Sequence, residues 1–329
     1  MRVLLYHCLP FALAHGGQQI QIERTREALR KAGVEAEFLD WHDVSQTGSV
    51  LHFFGRLPVQ ILEHARQKGM RVVVTDLLGA QGVRPRWRLT IERCLRRIAE
   101  AACRRSPGRL SWATYRQADA CIALTSWEAR LLRDQFAVPP GRIHVVPNGV
   151  DEAFLNGSPE ARGQWLLYVA TIAPVKRVLE VAQAAVHART PLMFVGRAYS
   201  DSDAYARLFT SFVRSHPELL RYEGEVADRA SLARVYRQAR GFVLLSRWET
   251  LSLAALEAAA CGCPLLLSDL PWAKSAFGTG AALCPAEASV VVMAAHLRAF
   301  YDHAPEQPAP AKPAGWEEVG RMLKTVYEK

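Results

Sequence analysis

At 329 residues the chain is longer than one hydrophobic core usually serves, which predicts two domains. Half of the residues are apolar and 22% are charged, as in an ordinary folded chain, which excludes disordered and collagen-like classes, and no apolar run reaches the length of a membrane span. The formal charge of +9 is confined to residues 1–150, which hold 22 Lys and Arg against 13 Asp and Glu, while residues 151–329 hold 19 of each.

Val3 to Tyr6 predict a first strand and His15-Gly16-Gly17-Gln18 a tight turn, followed by an amphipathic helix from Ile20 to Lys31 that ends at Gly33. Arg2, the apolar stretch to Leu13 and Ala12-Leu13-Ala14 mimic a short signal peptide. However, His7 and Pro10 interrupt the apolar core, and cleavage would delete the first strand. Val72 to Thr75 form another apolar run that ends at Asp76. Arg84 to Arg116 then carries ten Arg, no Lys and two Glu, a net +8 in one segment. With Trp87, Leu89, Ile91, Leu95, Ile98 and Trp112 interleaved, this segment reads as a basic amphipathic helix or pair. A solvated face with snorkelling Arg, an anionic membrane patch and a polyanion site are its three readings. Ala118 to Ser126 predict a strand with a polar end, and Asn148-Gly149 a left-handed turn after Pro147.

A second series of strand–helix units follows. Leu166 to Ala170 form a strand with Pro174-Val175-Lys176-Arg177 in the loop after it, and Leu192 to Val195 form a strand ending at Gly196. Arg221 to Val226 precede a helix over Ser231 to Ala239. Phe242 to Leu245 then predict a buried strand, and Glu249 falls at its carboxyl end, where open α/β sheets bind ligands. Thr250 or Ser252 caps the next helix, Leu253 to Ala260, which Gly262 terminates before another strand at Leu265 to Leu267. The Pro/Ala-rich stretch Pro305 to Pro313 reads as a linker before a last helix, Trp316 to Tyr327.

The most informative stretch is Glu249 to Glu257. The amides of Thr250, Leu251, Ser252 and Leu253 open a helix, which suits a phosphate, and Glu257 lies two turns along the same helix, able to accept hydrogen bonds from paired hydroxyls. A pyrophosphate cradle flanked by two polyol-binding carboxylates has the layout of a nucleotide-sugar site. As a bland alternative, this is an ordinary helix of a βαβ unit with Glu249 as a loop charge.

Ser246, Glu249, Leu256-Glu257-Ala258 and the following Cys261-Gly262-Cys263-Pro264 resemble the Glu-x7-Glu signature of glycosyltransferase family 4, and the order of elements is similar almost end to end. The resemblance implies a GT-B α/β fold of two Rossmann-like, doubly wound parallel-sheet domains facing a cleft. Residues 1–150 would form the acceptor domain, 151–304 the donor domain, and 305–329 a linker and helix crossing back to the first. It implies a retaining transferase that needs no metal or other cofactor and moves a sugar from a nucleotide-sugar to an acceptor hydroxyl, here a lipid-linked or cell-envelope glycan. By the same resemblance Glu249 meets the transferred sugar, Glu257 the ribose, and Lys176 the diphosphate. Gly16 and Gly17 approach the donor, as does Gly196, and the backbone of Val226 meets the base. The family's first diphosphate-binding Arg is replaced by Thr171, and Arg177 is a candidate to restore that charge. Asp76 either orients or deprotonates the acceptor hydroxyl or caps the next element; His52 and His15 are further candidates, each read as structural or substrate-orienting before catalytic.

Other classes lack their signatures. No Gly-x-Gly-x-x-Gly turn, Gly-x-Ser-x-Gly elbow or P-loop occurs. Seven cysteines contain no Cys-x-x-Cys pair and fit a reducing cytoplasm, with Cys8, Cys121 and Cys284 expected in the interior. Asp201-Ser202-Asp203 matches a metal-binding Asp-x-Asp, yet two Asp without further ligands read better as a solvated loop. The expected partners are a nucleotide-sugar, a glycan or lipid-linked acceptor and an anionic membrane surface at Arg84–Arg116, without nucleic acid. Localisation is expected in the cytoplasm, at the inner face of the membrane. A GT-B epimerase or phosphorylase and a catalytically weak membrane- or polyanion-binding module are the rival functions.

Overall fold

The computed structural model describes residues 1–329 apart from 12–15, 103–110, 159 and 201, and the chain divides into two units. One comprises Met1–Asn148 with Trp316–Lys329, the other Gly149–Gly315.

The first unit begins with β1 (Arg2–His7), α1 (Gly17–Lys31), β2 (Glu35–Phe38) and β3 (Val50–Phe54). It continues through α2 (Val59–Gln67), β4 (Arg71–Thr75), α3 (Gly79–Gly82) and α4 (Arg86–Ala102). Then come α5 (Thr114–Gln117), β5 (Ala120–Ala123), α6 (Ser126–Phe136) and β6 (Ile143–Val145). All strand pairs are parallel, in the order β2-β1-β3-β4-β5-β6. Val3, Leu51, Val72 and Val73 are buried as continuous apolar runs, because a parallel sheet is covered on both faces. The winding direction reverses between β1 and β3, so the ligand crevice of this unit lies at the carboxyl ends of those strands.

The second unit contains α7 (Glu152–Leu155), β7 (Leu166–Val169), α8 (Val178–His187), β8 (Leu192–Val195), α9 (Ala204–Arg214) and β9 (Leu220–Tyr222). Next are α10 (Arg229–Gln238), β10 (Gly241–Leu244), α11 (Leu253–Ala260) and β11 (Leu265–Ser268). The unit closes with α12 (Pro271–Phe277), β12 (Ala282–Cys284) and α13 (Val290–His303). Its parallel sheet runs β12-β11-β10-β7-β8-β9, the doubly wound order in which the first and fourth strands are neighbours. The switch point therefore falls between β7 and β10, bringing the loops that carry Lys176 and Glu249 side by side.

The last helix, α14 (Trp316–Glu328), belongs to the first unit and packs on α1. Gly320 makes this contact possible: a Cβ there would stand 2.4 Å from the Ala28 carbonyl oxygen. Tyr327 reaches the sheet, where its hydroxyl lies 2.7 Å from His52 Nδ1, while His52 Nε2 lies 2.8 Å from Thr75 Oγ1. His52 is thus a buried structural link of β3, β4 and α14 and not an acceptor-site residue, since both ring nitrogens face hydroxyls inside the unit. Burial lowers its pKa to about 3. His15 lies outside the described residues.

Several boundaries differ from the sequence expectation for local reasons. The first helix starts at Gly17, and α10 starts at Arg229 because Asp228 caps it by accepting from the Ser231 amide at 2.8 Å. Asp203 is likewise the cap of α9, accepting from the amides of Tyr205 and Ala206, and Asp201 lies outside the described residues. Cys121 and Cys284 are buried as expected, but Cys8 is exposed, because the strand that precedes it has already ended at His7.

Candidate functional site

The site of the second unit is assembled from the loops that leave β7, β8 and β10. After β7 the chain passes Thr171, which is half-buried, and makes a tight turn over Pro174–Lys176. The Arg247 amide donates to the Val175 carbonyl at 2.8 Å, which ties the β7 and β10 loops together. Lys176 Nζ forms an ion pair with Glu249 Oε1, and the Ser246 hydroxyl donates to the same oxygen at 3.0 Å. The two charged side chains are only 23% and 12% exposed, so the pair is shielded enough to count and still reachable from solvent. Sequence reasoning brought Lys176 and Glu249 to the same ligand; the structure brings them into direct contact.

Arg177 requires a correction. It adopts the left-handed conformation (φ 53°), uncommon for a residue other than glycine. Its guanidinium is buried and donates to the carbonyls of Ala286, at 2.9 Å, and Ala288 in the loop before α13. It holds two loops together and does not replace the cation missing at Thr171. Gly196 has a structural role of its own. A Cβ at this position (φ 143°) would stand 1.9 Å from the Ala170 carbonyl oxygen, so glycine is required for the close approach of the strand ends. Its amide donates to Gly224 and its carbonyl accepts from the Tyr222 hydroxyl, leaving its backbone engaged within the unit. Val226 lies half-buried between β9 and α10.

Ser252 caps α11 by accepting from the Ala255 amide at 3.3 Å, while Thr250 and Leu251 are buried behind it. The first amides of a helix have no partner within it and favour an anion; here they begin at Leu253, so Thr250 and Leu251 precede the helix and do not open it as the sequence suggested. Glu257 is buried, with Oε1 accepting from Arg229 Nη2 at 2.7 Å and Oε2 from the Tyr236 hydroxyl at 3.0 Å. Arg229 also donates to Asp151 at 2.7 Å. Burial raises the Glu257 pKa, and the Arg229 charge opposes that rise. Asp151, Arg229, Tyr236 and Glu257 thus form one network, of which the sequence disclosed only Glu257. The Arg and Tyr sit on a different helix at unremarkable spacing, and only folding relates them.

In the first unit, Gly16 (φ 132°) occupies backbone space that favours glycine and caps α1 at the carboxyl end of β1, with Gly17 exposed beside it. That placement offers a second helix N-terminus at a switch point. Asp76, after β4, accepts from the Tyr115 hydroxyl, and the phenol in turn receives Arg56 Nε at 3.4 Å. Asp76 is therefore held in place by a buried phenol and caps no helix. Nearby, the buried Glu128 accepts from the amides of Leu78, at 3.2 Å, and Leu124, at 2.8 Å, which braces the Asp76 loop against the end of β5. Burial raises its pKa to about 7 despite those bonds. The Thr125-x-x-Glu128 spacing of a helix start was the sequence signal for it.

Two doubly wound parallel sheets, with ligand-suited helix starts at their switch points, define the GT-B class of α/β proteins. Solved structures agree. Sucrose-phosphate synthase from Thermosynechococcus elongatus matches with a TM-score of 0.66 at 16% identity, covering 100% of this chain and 98% of that one. The HepE protein of Anabaena, solved in complex with UDP and glucose, matches with a TM-score of 0.65 at 12% identity over 100% of both chains. Residues 50–154 match the family described as Glycosyltransferase Family 4, and residues 163–303 match Glycosyl transferases group 1. The chain is thus similar to glycosyltransferase family 4 in its first unit and to glycosyl transferases group 1 in its second. A D-inositol 3-phosphate glycosyltransferase of Nocardiopsis dassonvillei is 33% identical over 50% of this chain and 43% of its own length. A GDP-mannose:cellobiosyl-diphosphopolyprenol alpha-mannosyltransferase of Xanthomonas campestris is 33% identical over 42% of this chain and 38% of its own. The match thus spans less than half the length of each of these two curated relatives.

Proposed function

We propose that the protein is a retaining, metal-independent glycosyltransferase that moves a hexose from a nucleotide-sugar to a hydroxyl of a lipid-linked, cell-envelope acceptor. The observation that carries this reading is the Lys176–Glu249–Ser246 cluster, set at the switch point of the second sheet and followed by the start of α11. In it the diphosphate lies against Lys176 and the first amides of α11, which stabilise the charge that develops as the nucleoside diphosphate leaves. Glu249 accepts hydrogen bonds from the transferred sugar, and Ser246 fixes the carboxylate's orientation. Glu257, held in place by Arg229 and the Tyr236 hydroxyl, accepts from the ribose hydroxyls. Asp76, positioned by Tyr115, receives or orients the acceptor hydroxyl. The mannosyltransferase of Xanthomonas campestris, with a diphosphopolyprenol acceptor in its name, supports the lipid-linked acceptor class.

The test is transfer from UDP-, GDP-, ADP- and dTDP-sugars to polyprenyl-diphosphate and inositol-phosphate acceptors, with and without EDTA. Product with the donor's anomeric configuration, formed equally with EDTA, is the expected result. Inverted product, or turnover restored only by added Mg²⁺ or Mn²⁺, would overturn the stereochemical or the metal-free part of the reading. Conversion of the donor to an epimer without any acceptor would point to an epimerase instead.

A further inference from the structure

Helix α4 is inside out. At ~100° per residue Trp87, Ile98, Ile91 and Leu95 fall within an arc of about 80°. That arc faces solvent, with the four side chains 66%, 64%, 50% and 59% exposed. The opposite side meets the rest of the first unit through Leu89, which packs on the core, and through Arg96. The Arg96 guanidinium lies 5.0 Å from the centre of the Phe136 ring and donates to Gln135 at 2.9 Å. An amphipathic helix on a globular unit ordinarily buries its apolar stripe, and this one presents it outward. Arg88 and Arg97 flank the stripe, one on each side, and are exposed.

We infer that α4 is the membrane-docking surface of the first unit, with Trp87, Ile91, Leu95 and Ile98 entering the headgroup boundary of an anionic phospholipid bilayer and Arg88 and Arg97 meeting its phosphates. Charge selects this occupant. The helix lies in the segment Arg84 to Arg116, with a net +8, and Arg104, Arg105 and Arg109 follow it in sequence. A second copy of the chain would set two such segments against each other, whereas anionic headgroups attract one. Nucleic acid would gain nothing from a stripe of Trp, Ile and Leu between the two Arg. The structure also narrows the sequence expectation, which named the whole segment Arg84–Arg116 as the contact. Arg96 faces inward and Arg84 is tied to Glu92 at 2.6 Å, whereas Arg88 reaches that carboxylate only through Nε, at 3.4 Å, and stays 59% exposed, so the apolar stripe and its two flanking Arg form the contact. This rests on the lipid-linked acceptor reading for its biological sense, but on the geometry alone for its existence.

The experiment is co-sedimentation of the whole chain with vesicles of phosphatidylcholine alone and of phosphatidylcholine mixed with phosphatidylglycerol. One variant combines Trp87→Ser, Ile91→Ser, Leu95→Ser and Ile98→Ser, and a second combines Arg88→Gln and Arg97→Gln. The parent is expected to bind the anionic vesicles and to be released by about 1 M salt, where screening is strong. The apolar variant is expected to lose at least about tenfold in affinity, and the Arg variant severalfold, because insertion and charge attraction act together. Thermal shift with the nucleotide-sugar panel on the same samples reports folding and donor binding separately. A parent that takes a donor but leaves anionic vesicles in solution overturns the docking and leaves the enzymatic reading standing. A parent that binds vesicles but no donor does the reverse. Equal binding to neutral vesicles, unchanged binding by both variants, or a parent dimer split by the apolar variant without vesicle binding would also overturn the proposal.

Discussion

Neighbouring cations on one loop have opposite fates here, and their variants separate chemistry from architecture. Lys176→Ala is expected to lower kcat at least ~100-fold, comparable to losing one preorganised donor to a developing charge. Arg177→Ala should instead cost roughly 1.5–3 kcal/mol of stability, since two carbonyls lose a charged donor, with KM for the donor unchanged. Urea unfolding and steady-state kinetics on both variants check this. An Arg177→Ala enzyme of full stability and impaired turnover would return Arg177 to the diphosphate. Adjacent residues could not be told apart in the sequence, because the left-handed turn at Arg177 that divides them has no signature in a non-glycine residue. Glu257 teaches a related lesson. Its removal leaves Arg229 and the Tyr236 hydroxyl without their acceptor, so Glu257→Ala is expected to destabilise the unit by roughly 3–5 kcal/mol, as when one partner of a buried ion pair is deleted. Glu257→Gln keeps an acceptor for one of them, and its donor affinity, measured by calorimetry, is the cleaner report on the ribose.

Among elements, the attachment of α14 is the most testable. Gly320→Ala would force a Cβ against the Ala28 carbonyl and is expected to cost roughly 1–3 kcal/mol, as overpacking does. The His52 link adds a pH dependence. Its folded pKa of about 3 lies below the ordinary 6.5, so between those values the unfolded chain binds a proton that the folded one excludes. The link's stability is present above pH 6.5 and is lost as pH falls toward 3. Glu128 acts in the opposite sense, its carboxyl being raised from 4.5 to about 7, so its contribution is lost as pH rises through that window. A His52→Gln variant isolates the first effect. The stability gap between parent and variant, from urea unfolding, should narrow as pH falls below 6.5, and a constant gap would mean that His52 does not titrate on unfolding. Most strands and helices were legible from continuous apolar runs, helix caps and Gly stops. The orientation of α4 was not, because its periodicity shows an apolar stripe without showing whether protein covers it. His52 was ambiguous for a related reason: its hydroxyl partners, Thr75 and Tyr327, stand 23 and 275 residues away in sequence.

For the whole molecule, the two units repeat one physical idea. Each parallel sheet reverses its winding once, and each reversal gathers the chemically active loops at the carboxyl ends of its strands. The first unit offers the Gly16–Gly17 helix start, braced Asp76 and an outward apolar helix; the second offers Lys176, Glu249, the start of α11 and the Glu257 network. Much of the second unit's candidate site was legible in residues 246–264, where strand, carboxylate, cap and helix follow one another locally. The parts that were not readable depend on pairing across distant elements, such as Arg229 with Glu257. The Lys176–Glu249 switch point is proposed to hold a nucleotide-sugar by its diphosphate and its sugar. Calorimetric titration of the parent, Lys176→Ala and Glu249→Ala with a nucleotide-sugar and with the bare nucleoside diphosphate tests it most directly. Lys176→Ala is expected to weaken both ligands alike, whereas Glu249→Ala weakens the nucleotide-sugar and spares the diphosphate. Parent-like binding of both ligands by both variants, or equal losses for Glu249→Ala, would contradict it.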